Sequence, residues 1–60
     1  MADAELSSLT STLDDVRRRI TARAEAHAAA GNEDAAIDLY EVERSLNTAL
    51  RRLSKLVNTA

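Results

Sequence analysis

His27 is the only histidine of the chain, and cysteine is absent. Thiol nucleophiles, disulfides and thiolate metal sites are therefore excluded. Ser45 and Asp38 supply, with His27, the letters of a nucleophilic triad, but a triad works only inside an enclosed site that orients all three groups. A metal held by one histidine needs further ligands at helical spacing. Glu25 stands two residues away, on a different helix face, position 31 is Gly31, and no Glu-x-x-His pair of the carboxylate-bridged bundles occurs. The acids come as neighbours: Asp14 with Asp15, Glu33 with Asp34, Glu41 near Glu43. General acid–base work would require burial that raises one member's pKa, and helix ends and surfaces do not provide it. The expectation is no catalytic residue, no metal and no cofactor.

Arginine offers more. Arg17, Arg18 and Arg19 are consecutive, Arg23 follows, and Arg51 and Arg52 form a second pair. Three successive helical residues span roughly 200°, so at least one must point to solvent. The guanidinium fork suits phosphate and carboxylate. Arg17, Arg18, Arg19, Arg51 and Arg52 are accordingly the candidate contacts to an anion or an acidic partner. Against a nucleic acid or nucleotide stand ten acids beside eight bases and a single aromatic, Tyr40. These leave neither a global positive field nor a stacking platform, so such ligands are a secondary expectation.

These side chains act only where the backbone holds them. With no Pro and one Gly in sixty residues, the one strong interruption is Gly31-Asn32, near the middle. Upstream, Leu6, Leu9, Leu13, Val16 and Ile20 follow a 3-4-3-4 heptad spacing, continued through Ala24 and His27 or Ala28. Downstream, Ala36, Leu39, Val42, Leu46, Ala49 with Leu50, Leu53, and Leu56 with Val57 repeat the rhythm. Abundant Ala, Leu, Arg and Glu agree with helix. The reading is all-α: an antiparallel, coiled-coil-like hairpin with helix 1 over about 3–30, a turn at Gly31-Asn32, and helix 2 over about 33–57. Gly31 suits a left-handed helix C-terminus, and Asn32 is expected to cap the next helix with its side chain. Ser11 and Thr12 offer later capping boxes for the first helix, but Leu6 and Leu9 favour a start near Asp3.

The run GNEDAAIDLY, Gly31–Tyr40, resembles the inter-helix turn of a tetratricopeptide repeat through Gly31, Ala36, Ile37 and Tyr40. Glu43 and Arg44 depart from that pattern, and no second copy is present. Solenoid repeats need stacked neighbours, so the likeness reads as shared hairpin physics. In outline the chain also resembles the coiled-coil hairpin anti-sigma factors, with no ligand motif to carry over.

A short turn sets residue i opposite roughly residue 63 − i. That register brings Leu13 to Leu50 and Ile20 to Val42, with Asp14 and Asp15 near Arg51 and Arg52, and Arg19 and Arg23 near Glu41 and Glu43. Twelve of the apolar residues are Ala, and chains below about 70 residues rarely build a self-sufficient core. Helix 2 carries more apolar positions than one partner covers, which is the demand of a four-helix bundle. The expected assembly is a homodimer. Its candidate interface is Leu13, Val16 and Ile20 with Leu39, Val42, Leu46, Leu50 and Leu53, and Tyr40 as a contact residue near the turn. No apolar run is long enough to span a bilayer, and MADAELSSL lacks signal-peptide features, so a cytoplasmic location without membrane contact is the default. The functional expectation is a non-catalytic protein acting by self-association and protein–protein contact, as adaptor, subunit or regulator. The alternative is a transcription-related regulatory module that binds a transcription factor, nucleic acid or anionic nucleotide through the arginines.

Overall fold

The computed structural model describes residues 3–59, which form two α-helices packed against each other: α1, Ala4–Ala29, and α2, Glu33–Thr59. At about 1.5 Å per residue each is roughly 40 Å long. Each boundary has a local cause. Asp3 adopts extended backbone, and its carboxylate accepts from the Leu6 N–H at 3.0 Å, capping α1. Ser11 and Thr12 lie inside the helix, where the Thr12 hydroxyl donates to the Ser8 carbonyl at 3.0 Å. At the other end Ala30 keeps helical dihedrals and Gly31 turns left-handed at φ +83°. The Asn32 N–H then reaches the His27 carbonyl at 2.8 Å and the Gly31 N–H reaches the Ala28 carbonyl at 3.2 Å. These are the paired bonds of a Schellman closure, which requires the residue without a Cβ at Gly31.

Asn32 corrects one expectation. Its backbone carbonyl opens α2 by accepting from the Ala36 N–H at 3.0 Å. Its side chain, however, makes no cap and lies back across the turn, with Nδ2 3.3 Å from His27 Nδ1. The Schellman closure places Asn32 over the last turn of α1, within reach of the imidazole. Glu33 and Asp34 stand in the first turn of α2, where the helix dipole favours negative charge.

The seam between the helices is also rotated from the expected one. Both possible heptad lines of α1 share Leu6, Leu13, Ile20 and His27, and they differ in whether Leu9, Val16 and Arg23 or Thr10, Arg17 and Ala24 fill the gaps. The second line faces α2: Thr10 and Arg17 are half-buried, whereas Leu9 and Val16 are exposed. In α2 the inward line is Ala36, Leu39, Glu43, Leu46, Leu50, Leu53 and Val57, and Val42 and Leu56 are exposed. Glu43, not Val42, is therefore the inward α2 residue nearest the height of Ile20. The cause lies at the turn, where three linking residues force the backbones together. Large side chains do not fit where backbones approach so closely. Ala24 is 0% exposed and Ala36 4%, and the alternative line would have put Arg23 there. Satisfying the turn rotates both helices along their whole length.

The register is close to the expected one. The Thr21 hydroxyl, shared with the Arg17 carbonyl, bonds the Glu43 carboxylate across the seam, so opposing residue numbers sum to 64 rather than 63. The result is a rod of 48 × 14 × 10 Å. Its radius of gyration is 13.9 Å, against about 10 Å for a compact chain of this length. Among the described residues, Ala24 and Ala36 are the only buried apolar ones, and no large side chain is fully buried.

Candidate interaction surfaces

Helical geometry sorts the side chains beside the seam onto two flanks. At about 100° per residue, Thr21, Asp14 and Thr10 fall on one side of α1's inward line, and Leu9 and Val16 fall about 60–80° to the other side. In α2, Glu43, Asn47 and Tyr40 fall to one side of the inward line and Val42, Ala49 and Leu56 to the other. In an antiparallel pair, equal rotations bring residues to the same flank, and the Thr21–Glu43 bond fixes which flank is which. One flank is therefore polar. The opposite flank carries Leu9, Val16, Val42, Ala49 and Leu56.

The polar flank is satisfied within one chain. Asp14 accepts from Arg17 at 3.1 Å and from Arg18 at 2.6 Å, through a different oxygen for each. The Arg18 hydrogen bonds, and then those of Arg17, hold the Asp14 carboxyl below its ordinary pKa, while Asp14 raises that of Arg18. Thr10 donates to the Leu6 carbonyl at 2.7 Å. Arg44 pairs with Glu41 at 3.6 Å on the outer surface of α2. Every ion pair among the described residues is thus within one helix. The expected pairs across the seam, Asp14 and Asp15 with Arg51 and Arg52, or Arg19 and Arg23 with Glu41 and Glu43, are not formed. A short Asp reaches a neighbour one turn along its own helix more readily than an arginine on the facing one.

The exposed flank is apolar along the rod. Leu9 is 51% exposed, Val42 44% and Leu56 54%. Leu9 and Leu56 lie at one height near the chain ends, Val16 and Ala49 at the next. Beneath them run the half-buried Leu13, Ile20, Leu46 and Leu53. A shallow depression on this side is lined by Val16, Arg19, Ile20 and Arg23. Of the candidate interface residues, Leu13, Ile20, Leu39, Leu46, Leu50 and Leu53 line the intramolecular seam, and Val16, Val42 and Tyr40 are exposed. Leu9 and Leu56 stand in the heptad rows but not among the candidate interface residues. The signal that finds them is Arg23, the one unsuitable member of the Leu9–Val16–Arg23 line.

The basic candidates separate. Arg17 and Arg18 are engaged by Asp14. Arg19, Arg51 and Arg52 are exposed, and Arg51, Arg52 and Lys55 surround a second open depression with Thr48 and Leu56. The letters of a triad do not assemble: Ser45 and Asp38 are about 10 Å apart along α2, and His27 is occupied with Asn32. Among the described residues, no three His, Asp or Glu side chains converge as metal ligands, and no helix is long and apolar enough to cross a membrane. Compared with protein-family models, with curated proteins and with solved structures, the chain finds no match.

Proposed function

We propose that this chain is a cytoplasmic, non-catalytic interaction protein that works as a homodimer, two hairpins forming a four-helix bundle, and engages a further protein as adaptor, subunit or regulator. The observation that carries this reading is the thinness of the core: among the described residues only two alanines are buried, while five large aliphatic side chains and Tyr40 are exposed. Apolar area left in water is the strongest available drive to associate. A folded monomer of this mass exposes about 3,800 Å², and this chain exposes 4504 Å². The difference is close to the share of surface, about 800 Å² per partner, that a standard interface removes. Thermal melting followed by helical circular dichroism tests it. A dimer melts at higher temperature as concentration rises, because mass action favours the associated state.

A second reading rests on Arg51, Arg52 and Lys55, which make no ion pair among the described residues. In that reading the chain is a transcription-related regulatory module, and this patch contacts a transcription factor, nucleic acid or nucleotide. Binding that collapses between about 50 and 200 mM salt supports it; apolar association persists through that range.

A further inference from the structure

The polarity of the dimer follows from how the apolar residues are spaced, and it rests on the homodimer reading above. We infer that two copies stack through the Leu9–Val16–Val42–Ala49–Leu56 flank with their turns at the same end, so that α1 of each hairpin lies along α2 of the other. The rod offers a broad face of 48 × 14 Å. That is on the order of 700 Å², which reaches a standard interface only if the two rods overlap along their full length. Full overlap leaves two arrangements related by a two-fold axis, turns together or turns apart.

The apolar rows distinguish them. The row on α1, Leu9 and Val16, has the same seven-residue step as Leu56 and Ala49 on α2. Through the register set by Thr21 and Glu43, Leu9 stands within one residue, about 1.5 Å, of the height of Leu56, and Val16 likewise of Ala49. With the turns together, each α1 row therefore lies directly along the α2 row of the second copy, Leu9 against Leu56 and Val16 against Ala49. With the turns apart, both rows of one copy would have to be centred on the same axis. The Leu9–Val16 row centres nearer the chain ends than the Val42–Leu56 row does, by between two and three residues or about 4 Å, so one row would be out of step.

The charges bordering the flank agree. With the turns together, Arg23 comes to the height of Glu41 of the second copy, whose carboxylate also pairs with Arg44 of its own chain at 3.6 Å. Among the described residues Arg23 makes no ion pair within its own chain, and the two charges are of opposite sign. They give direction to an interface whose apolar part supplies the attraction.

Because the chain has no cysteine, Glu33→Cys places a single spin label in the first turn of α2, away from the apolar flank. Electron–electron distance measurement on the labelled dimer is expected to give a separation of about half the rod length or less. A separation near the full 48 Å length means a dimer with turns apart and overturns this arrangement while leaving the dimer standing. Absence of any dipolar coupling, with a monomeric mass on the same sample, overturns the dimer and this inference together. A second label at Asn58→Cys gives the same short distance if the turns are together and a long one if they are apart, which controls for local effects of the first label.

Discussion

The polar and the apolar flank of this hairpin are made by the same two helices, a few ångströms apart, yet they solve different problems. On the polar flank Asp14, Arg17, Arg18, Thr21 and Glu43 find partners within one chain. A polar group of this kind is satisfied by one well-placed neighbour or by water. On the other flank Leu9, Val16, Val42 and Leu56 are exposed, and only another surface removes apolar area from water. The contrast arises from one rotation at the turn. Ala24 and Ala36 are both buried near it, and the same twist carries Thr10, Arg17 and Glu43 into the seam and leaves Leu9, Val16, Val42 and Leu56 outside it. A thin intramolecular core and an exposed apolar flank are two consequences of one packing constraint.

That comparison can be broken from beneath. Leu46 lies in the row shared by both flanks and is half-buried. Leu46→Asp would place a charge in the seam at a cost of about 3 kcal/mol or more, and the helical circular dichroism signal should be largely lost at 25 °C. A more selective break charges one flank only. Val42→Glu should weaken self-association by about 100-fold, the scale of a truncated or charged interface anchor. Tyr40→Ala, on the opposite side of α2, should change it by less than about 10-fold. Sedimentation velocity over a dilution series measures both, and equal effects would mean that the two flanks are not functionally distinct.

The rotation itself can be probed at the turn. Nothing lies within 4 Å of a Cβ built on Gly31, so Gly31→Ala should cost only the left-handed backbone penalty of about 1 kcal/mol, seen as a melting temperature lower by several degrees. Thr21→Val removes the cross-seam bond to Glu43 while keeping the side chain's shape, at about 0.5–1.5 kcal/mol. The loss should appear in stability and leave the dimer's mass unchanged. The smallest expected effect concerns pH. Asp14's carboxyl titrates lower in the folded chain than its ordinary value of 3.8, through Arg18 and then Arg17. Its contribution is therefore complete at neutral pH and is lost as pH falls below about 4. Asp14→Asn should flatten that part of an acid titration of helicity, slightly, because the pair is solvated.

Much of this architecture was legible in the residues. Gly31 marked the reversal, the heptad spacing marked two helices, and the lack of Pro let both run uninterrupted. The shared positions Leu13, Ile20, Leu39, Leu46 and Leu53 were readable because every acceptable heptad phase contains them. The choice between the two flanking lines was not readable from hydrophobicity, which favours Leu9, Val16 and Val42 over Thr10, Arg17 and Glu43. It is decided by steric closeness at one end of the rod, and Ala24, about 22 Å along α1 from Leu9, outweighs the local preference of each larger residue. Asn32's side chain was misread for a similar reason: its capping propensity is local, but the closure of the preceding helix had already placed its amide beside His27. The cross-seam ion pairs failed because propensity to pair says nothing of reach, and Asp14 had two arginines one turn away.

The account stands on the claim that the apolar flank is covered in solution by a second copy. Sedimentation equilibrium of the pure chain across a hundredfold range of micromolar concentrations tests it most directly. The expected result is a reversible species of twice the chain mass that dissociates on dilution together with loss of helicity. A fully helical species at the single-chain mass throughout that range would contradict it.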